Sequence, residues 1–112
     1  MKFNEYQALA ATTAIYPREG SKGVSYAALG LVGEAGEVAN KVKKIIRDHE
    51  DTKQGIEEKR STIEAELGDV LWYIAAICEE FDINMCDVAE ANIVKLQSRA
   101  QRGVIGGSGD NR

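Results

Sequence analysis

Two acidic pairs, Glu34/Glu37 and Glu66/Asp69, each sit at i, i+3 spacing. On a helix that spacing places both side chains on one edge, about 5–6 Å apart at Cβ, a separation that suits hard oxygen ligands for Mg²⁺ or Mn²⁺. The surroundings of the second pair are unusual. In helical projection Ile63, Leu67, Val70, Ile74, Ile77 and Phe81 share one broad face. Glu66 falls between that face and Tyr73, Asp69 falls between Tyr73 and Ala76, and Trp72 covers much of the remaining side. A helix that is apolar nearly all round belongs in the middle of a bundle or oligomer. An unpaired carboxylate there costs several kcal/mol or takes up a proton, so the pair needs cations or a metal; a buried salt bridge is the competing reading.

The first pair borders an apolar face made of Leu31, Val32, Ala35, Val38, Ala39, Val42, Ile45 and Ile46. Alone, such an E-x-x-E is commonly a solvated face. Gly30, Gly33 and Gly36 surround it, at about 1 kcal/mol each inside a helix, which points to close approach by another helix or a ligand. Farther along, Asn92, Lys95, Arg99 and Arg102 line one border of a helix whose apolar face is Met85, Val88, Ala89, Ile93, Leu96 and Ala100. That stripe either snorkels at a bundle edge or neutralises phosphate oxygens, with Asn92 donating to phosphate or orienting a metal ligand. Four carboxylates overcharge a single Mg²⁺. Two or more ions and an anionic substrate such as a triphosphate balance them better, with metal-bound water as nucleophile and cations on the leaving pyrophosphate.

The elements that must hold these residues are helical. A first helix is expected over Asn4–Tyr16, with Asn4 and Gln7 as a capping box and Pro17, the only proline, stopping it. A loop follows, and a second helix runs from about Ser25, its N-cap, to Asp48. Residues 49–55 break the pattern as the longest internal connection. The third helix starts between Ile56 and Ser61, where Ser61 and Glu64 offer a capping box, and ends near Phe81. Asn84 and Asp87 open a fourth helix that continues to about Arg102. The expected architecture is all-α, a four-helix bundle over residues 1–102, followed by a flexible glycine-rich tail, 103–112, with four glycines.

The totals exclude several classes. A length of 112 residues, 44% hydrophobic and 29% charged, fits one globular domain. The net charge of −4 argues against a nucleic-acid binder held by a general basic surface. No apolar run approaches the roughly 20 residues of a membrane span, and the first residues lack a secretory h-region. Cys78 and Cys86 lack C-x-x-C spacing and fall on apolar helical stretches, so free buried thiols rather than the alternative disulfide, and a cytoplasmic location, are expected.

Glu34-Ala-Gly-Glu37, followed after 28 residues by Glu66-Leu-Gly-Asp69, resembles the E-x-x-E…E-x-x-D signature of MazG-like, all-α nucleoside triphosphate pyrophosphohydrolases. The longer strings Leu29–Glu37 and Glu66–Tyr73 strengthen the resemblance, and Asn92-x-x-Lys95 with Arg99 is similar to the family's basic element. It covers about Leu29 to Arg102. The resemblance implies Mg²⁺-dependent hydrolysis, with Mn²⁺ as a substitute, to a nucleoside monophosphate and pyrophosphate. It implies that Glu34, Glu37, Glu66 and Asp69 are metal ligands, one of them also positioning water, and that Lys95 and Arg99 hold phosphates. It further implies a homodimer or a dimer of dimers with the site near subunit contacts. Tyr6, Gln7, Trp72 and Tyr73 are candidates for the base, packing being the stronger role for the last two, and Arg112 could bring the tail onto a phosphate. Three rivals remain. A ferritin-like di-iron protein needs E-x-x-H motifs, whereas His49 is the only histidine and falls in the expected loop. A phosphoribosyl-ATP pyrophosphohydrolase-like enzyme shares the acidic logic, and a non-catalytic helical nucleotide-binding or regulatory module would retain an acidic pocket without turnover.

Overall fold

The computed structural model describes residues 1–49 and 52–112, the His49 side chain excepted. The described residues form four α-helices and no strand: α1 Phe3–Ala11, α2 Lys22–His49, α3 Lys53–Glu80 and α4 Met85–Gln101. The all-α class is as expected. The two long helices form an antiparallel hairpin, α1 lies across α3, and α4 rests on α1.

Helix ends differ from the sequence expectation where side chains compete for the backbone. α1 stops at Ala11 rather than Tyr16. The Thr12 and Thr13 hydroxyls donate to Leu9 O (2.6 Å) and Ala10 O (2.8 Å), and the chain tightens into i→i−3 turns there. Tyr16 is thereby freed to stack on Tyr26, ring centroids 4.7 Å apart. The Asn4/Gln7 capping box does not form. Glu5 accepts from the Lys2 N–H instead (3.1 Å), while Gln7 is buried and spans two elements. Its amide donates to Glu79 (2.8 Å) and Ile83 O (2.9 Å), and its oxygen accepts from Met85 N–H (2.7 Å). Gln7 therefore fastens α1 to the α3–α4 turn and is not available to a base.

α2 begins three residues before Ser25. Gly23 fits its first turn because a β-carbon there would stand 2.6 Å from the Glu80 carboxylate. α3 also begins early. Thr52 caps it by accepting from Gly55 N–H (3.1 Å), so Ser61 lies inside the helix and the Ser61/Glu64 box is not used. Of the expected break at 49–55, Glu50 and Asp51 lie outside the described residues, and Lys53–Gly55 are helical. The longest described connection is instead 12–21. α4 starts as expected, with Asn84 Oδ1 accepting from Cys86 N–H (2.9 Å) and Asp87 N–H (3.2 Å).

The core is small: Ala10, Ala75, Cys78 and Met85, with Tyr6, Leu71, Trp72 and Ile74 packed against it. Both cysteines are free, and Cys86 is half-buried rather than buried. Most of the expected apolar faces remain open in the single chain. Val32, Val42 and Ile46 on α2, Leu67 on α3 with Phe81 just past its end, and Val88, Ile93 and Leu96 on α4 are all exposed. The accessible surface is 7926 Å², where a compact 12.2 kDa chain exposes roughly 6,000 Å². The radius of gyration is 17.1 Å against about 13 Å for a compact chain of this length. No helix among the described residues is long and apolar enough to cross a membrane.

Candidate metal centre

The antiparallel α2–α3 seam brings Glu34 of α2 against Glu66 and Asp69 of α3. One carboxylate oxygen of each lies within 4.8 Å of the others. Glu34 and Glu66 are half-buried and Asp69 is exposed, so the apolar burial expected for Asp69 is not met within one chain. The helices approach closely here because Gly30 leaves room for Tyr73, whose ring occupies the place of a side chain at that position. Gly30 bears out the close approach of another helix, whereas a β-carbon at Gly33 or Gly36 would meet open space within the chain.

Crowded like charges leave a signature on Glu34. Its carboxyl is pushed above the ordinary range by partial desolvation, then by the negative charges of Asp69, Glu66 and Glu37. Glu37 contributes through that field but stands outside the three-oxygen group, on the exposed side of α2. Lys41, one turn beyond Glu37, places its ammonium 3.8 Å from Glu66 Oε1. Lys41 follows Glu34 at i+7, a spacing that puts it on the same stripe of α2, while its partner Glu66 on α3 is not readable from spacing. The set of donors is all oxygen and closely spaced, which fits Mg²⁺ or Mn²⁺ and not a soft metal.

A cleft of about 310 Å³ opens beside the carboxylates, lined by Thr13, Glu34, Asp69, Trp72 and Tyr73. Its aromatic wall is held from two sides. Trp72 and Tyr73 meet edge to face at 5.0 Å, and the Trp72 indole N–H donates to Thr13 Oγ1 at 2.8 Å. Behind them, Tyr16 meets Trp72 edge-on at 6.3 Å and donates its hydroxyl to Glu80 (2.8 Å), which also pairs with Arg18 (2.7 Å). None of the Thr13, Tyr16, Arg18 and Glu80 contacts could be read from spacing, since they join residues some sixty positions apart. Tyr6 packs against the core beneath this wall.

The basic stripe of α4 is placed differently. Asn92, Lys95 and Arg102 are exposed, Arg99 is buried, and among the described residues none of the four makes a hydrogen bond or ion pair with α2 or α3. Arg99 donates to Asp110 O (2.9 Å) and lies 4.0 Å from the Asp110 carboxylate. Arg102 donates to Arg112 O (3.0 Å), while Arg112 donates to the carbonyls of Val104, Ile105 and Gly109. The tail is thus folded back on the end of α4, and the Arg112 guanidinium is spent within it.

The described residues are all-α, with three carboxylates meeting on a long helical hairpin beside an aromatic cleft. A family model of the MazG nucleotide pyrophosphohydrolase domain matches residues 24–104, and the chain belongs to that family. It is also 52% identical over 118 aligned positions to the "Gene 37 protein" of Mycobacterium phage L5, a match that spans 100% of both chains. No solved structure matches it significantly.

Proposed function

We propose that this protein is a Mg²⁺-dependent nucleoside triphosphate pyrophosphohydrolase that converts a (d)NTP and water to a (d)NMP and pyrophosphate. The observation that carries the reading is the convergence of Glu34, Glu66 and Asp69 oxygens within 4.8 Å on two helices, in a chain of this family. Those three carboxylates would hold Mg²⁺ or Mn²⁺, with Glu37 at the rim binding a further ion or positioning water. When bound, the ion supplies charge neutralisation of the phosphates and a more acidic water. Partial desolvation, then the negative charges of Asp69, Glu66 and Glu37, raise the proton affinity of Glu34, which supports a cation at the same place. Thr13, Trp72 and Tyr73 would wall off one side of the cleft and limit the poses a nucleotide can take.

Asn92, Lys95, Arg99 and Arg102 would contact phosphates across a subunit contact, since among the described residues they make no hydrogen bond or ion pair with α2 or α3. A homodimer or a dimer of dimers is supported by the excess surface of roughly 1,900 Å² over a compact chain. Covering it from both partners gives an interface in the obligate range. We place the enzyme in the cytoplasm, where Cys78 and Cys86 stay as thiols.

The test is a panel of ribo- and deoxynucleoside triphosphates with Mg²⁺, products identified by chromatography. Monophosphate with pyrophosphate is the expected outcome. Diphosphate with phosphate, or no turnover on any nucleotide, defeats the reading and leaves a non-catalytic module. Sedimentation analysis reads the assembly, and a monomer at micromolar concentration would overturn the oligomer.

A further inference from the structure

The hairpin seam carries a cation as well as its carboxylates. Lys41 lies on the Glu34/Glu37 stripe of α2, and its ammonium reaches Glu66 at 3.8 Å. Both side chains are partly withdrawn from water, Lys41 27% and Glu66 19% exposed. A pair so placed is less screened than one on an open surface. Yet 3.8 Å is beyond hydrogen-bonding range, so the contact is Coulombic, and among the described residues no acceptor takes the ammonium's donors.

Charge is unevenly distributed over the triad. Of the three carboxylates that meet, Glu66 is the one with a lysine beside it among the described residues. A divalent ion that takes Glu66 competes with Lys41 for the same oxygen, because two cations repel at that distance. The displaced ammonium would stay beside the site, with its donors open to the oxygens of a phosphate that arrives with its own metal. Meanwhile Arg99 is engaged by Asp110, and among the described residues the α4 stripe makes no hydrogen bond or ion pair with the hairpin.

We propose that Lys41 is a phosphate-binding residue of this site, held on Glu66 until a divalent ion takes that carboxylate. The ligand class is a polyphosphate brought with its metal, and the proposal rests on the pyrophosphohydrolase reading for its substrate. A purely structural salt bridge would instead serve to hold α2 against α3.

Two titrations separate these roles. Mn²⁺ is titrated into metal-free wild type and Lys41→Gln without nucleotide, and inorganic pyrophosphate into both proteins at saturating Mg²⁺. Removing a cation that competes with the metal is expected to tighten Mn²⁺ binding about threefold to tenfold. Removing a charge-assisted donor is expected to weaken pyrophosphate by about tenfold, with Lys41→Arg restoring most of it. Unchanged or weaker Mn²⁺ binding in Lys41→Gln overturns the proposal, and so does unchanged pyrophosphate affinity. Should Lys41→Gln lose its helical circular-dichroism signal, Lys41→Met keeps the apolar stem and carries the same titrations. Neither titration needs turnover. A wild type that hydrolyses no triphosphate but gives both expected shifts removes the hydrolase reading and leaves the phosphate site standing.

Discussion

The indole N–H of Trp72 donates to the hydroxyl of Thr13 at 2.8 Å, joining the turn after α1 to the helix that carries Glu66 and Asp69. This bond fixes the ring that walls the cleft, and Thr13 can accept it because its own proton goes to Ala10 O. Thr13→Val keeps the shape and removes the acceptor. The expected loss is about 1 kcal/mol in urea unfolding, since the indole is only half-buried and water can replace part of the bond. As Trp72 is the single tryptophan, its fluorescence reports the change directly, and a red shift is expected. An unchanged emission maximum and urea midpoint would show that the bond does not position the ring.

Gly30 faces the Tyr73 ring on the opposite helix, with no room for a methyl group. Gly30→Ala gains about 1 kcal/mol of helix propensity but forces Tyr73 or the helices apart, an overpacking cost of typically 1–3 kcal/mol. Overpacking should win, lowering the urea midpoint and loosening the Glu34–Asp69 approach, so that Mn²⁺ affinity falls with stability. A more stable Gly30→Ala protein would refute the close packing of this seam.

The acidic triad should destabilise the metal-free fold. Glu34 binds its proton more tightly when folded than when unfolded, so the folded state holds more protons between the ordinary glutamate value and Glu34's raised one. Stability of the metal-free protein therefore falls as pH rises through that window. Glu34→Gln should flatten this part of the profile and raise the melting temperature in a chelator, while losing most Mn²⁺ affinity and activity. Asp69→Asn should do the same for affinity, by about tenfold or more. Equal melting profiles for wild type and Glu34→Gln in chelator would remove the crowding argument.

Tyr16 donates to the Glu80 carboxylate, and burial together with that bond pushes its phenol up to about 12. A phenol raised from its ordinary 10 contributes stability in full below pH 10, lost as pH climbs toward 12. Tyr16→Phe should remove this alkaline dependence, lower stability near neutrality by about 1 kcal/mol, and free Arg18 to leave Glu80. Melting curves at successive pH values from 8 upward, with phenolate absorbance as a second readout, check it. An identical alkaline limb in the variant would place the titration elsewhere.

Much of the site was legible in local pattern. The i, i+3 carboxylates, the glycine at 30 and the Asn84 cap all act over one or two turns, where sequence spacing and distance in space are nearly the same quantity. Lys41 was legible in the same way. The helix ends of α1 and α3 were not, because Thr12, Thr13 and Thr52 are ambiguous in isolation: each hydroxyl stops or starts a helix according to which backbone group it finds. Gln7 has the spacing of a cap and instead bridges α1 to Ile83 and Met85.

By itself the sequence determined an all-α chain and two acidic edges with an apolar period beside them, since helical periodicity is a one-dimensional property. Tertiary structure alone decided which carboxylates meet. Glu34 joins Glu66 and Asp69 while Glu37 stays at the rim, because the register of two antiparallel helices is set by interlocking side chains such as Tyr73 against Gly30. It also decided that Lys41 faces Glu66 and that Arg99 turns to Asp110, for a long charged side chain settles on whichever opposite charge the packing brings within reach.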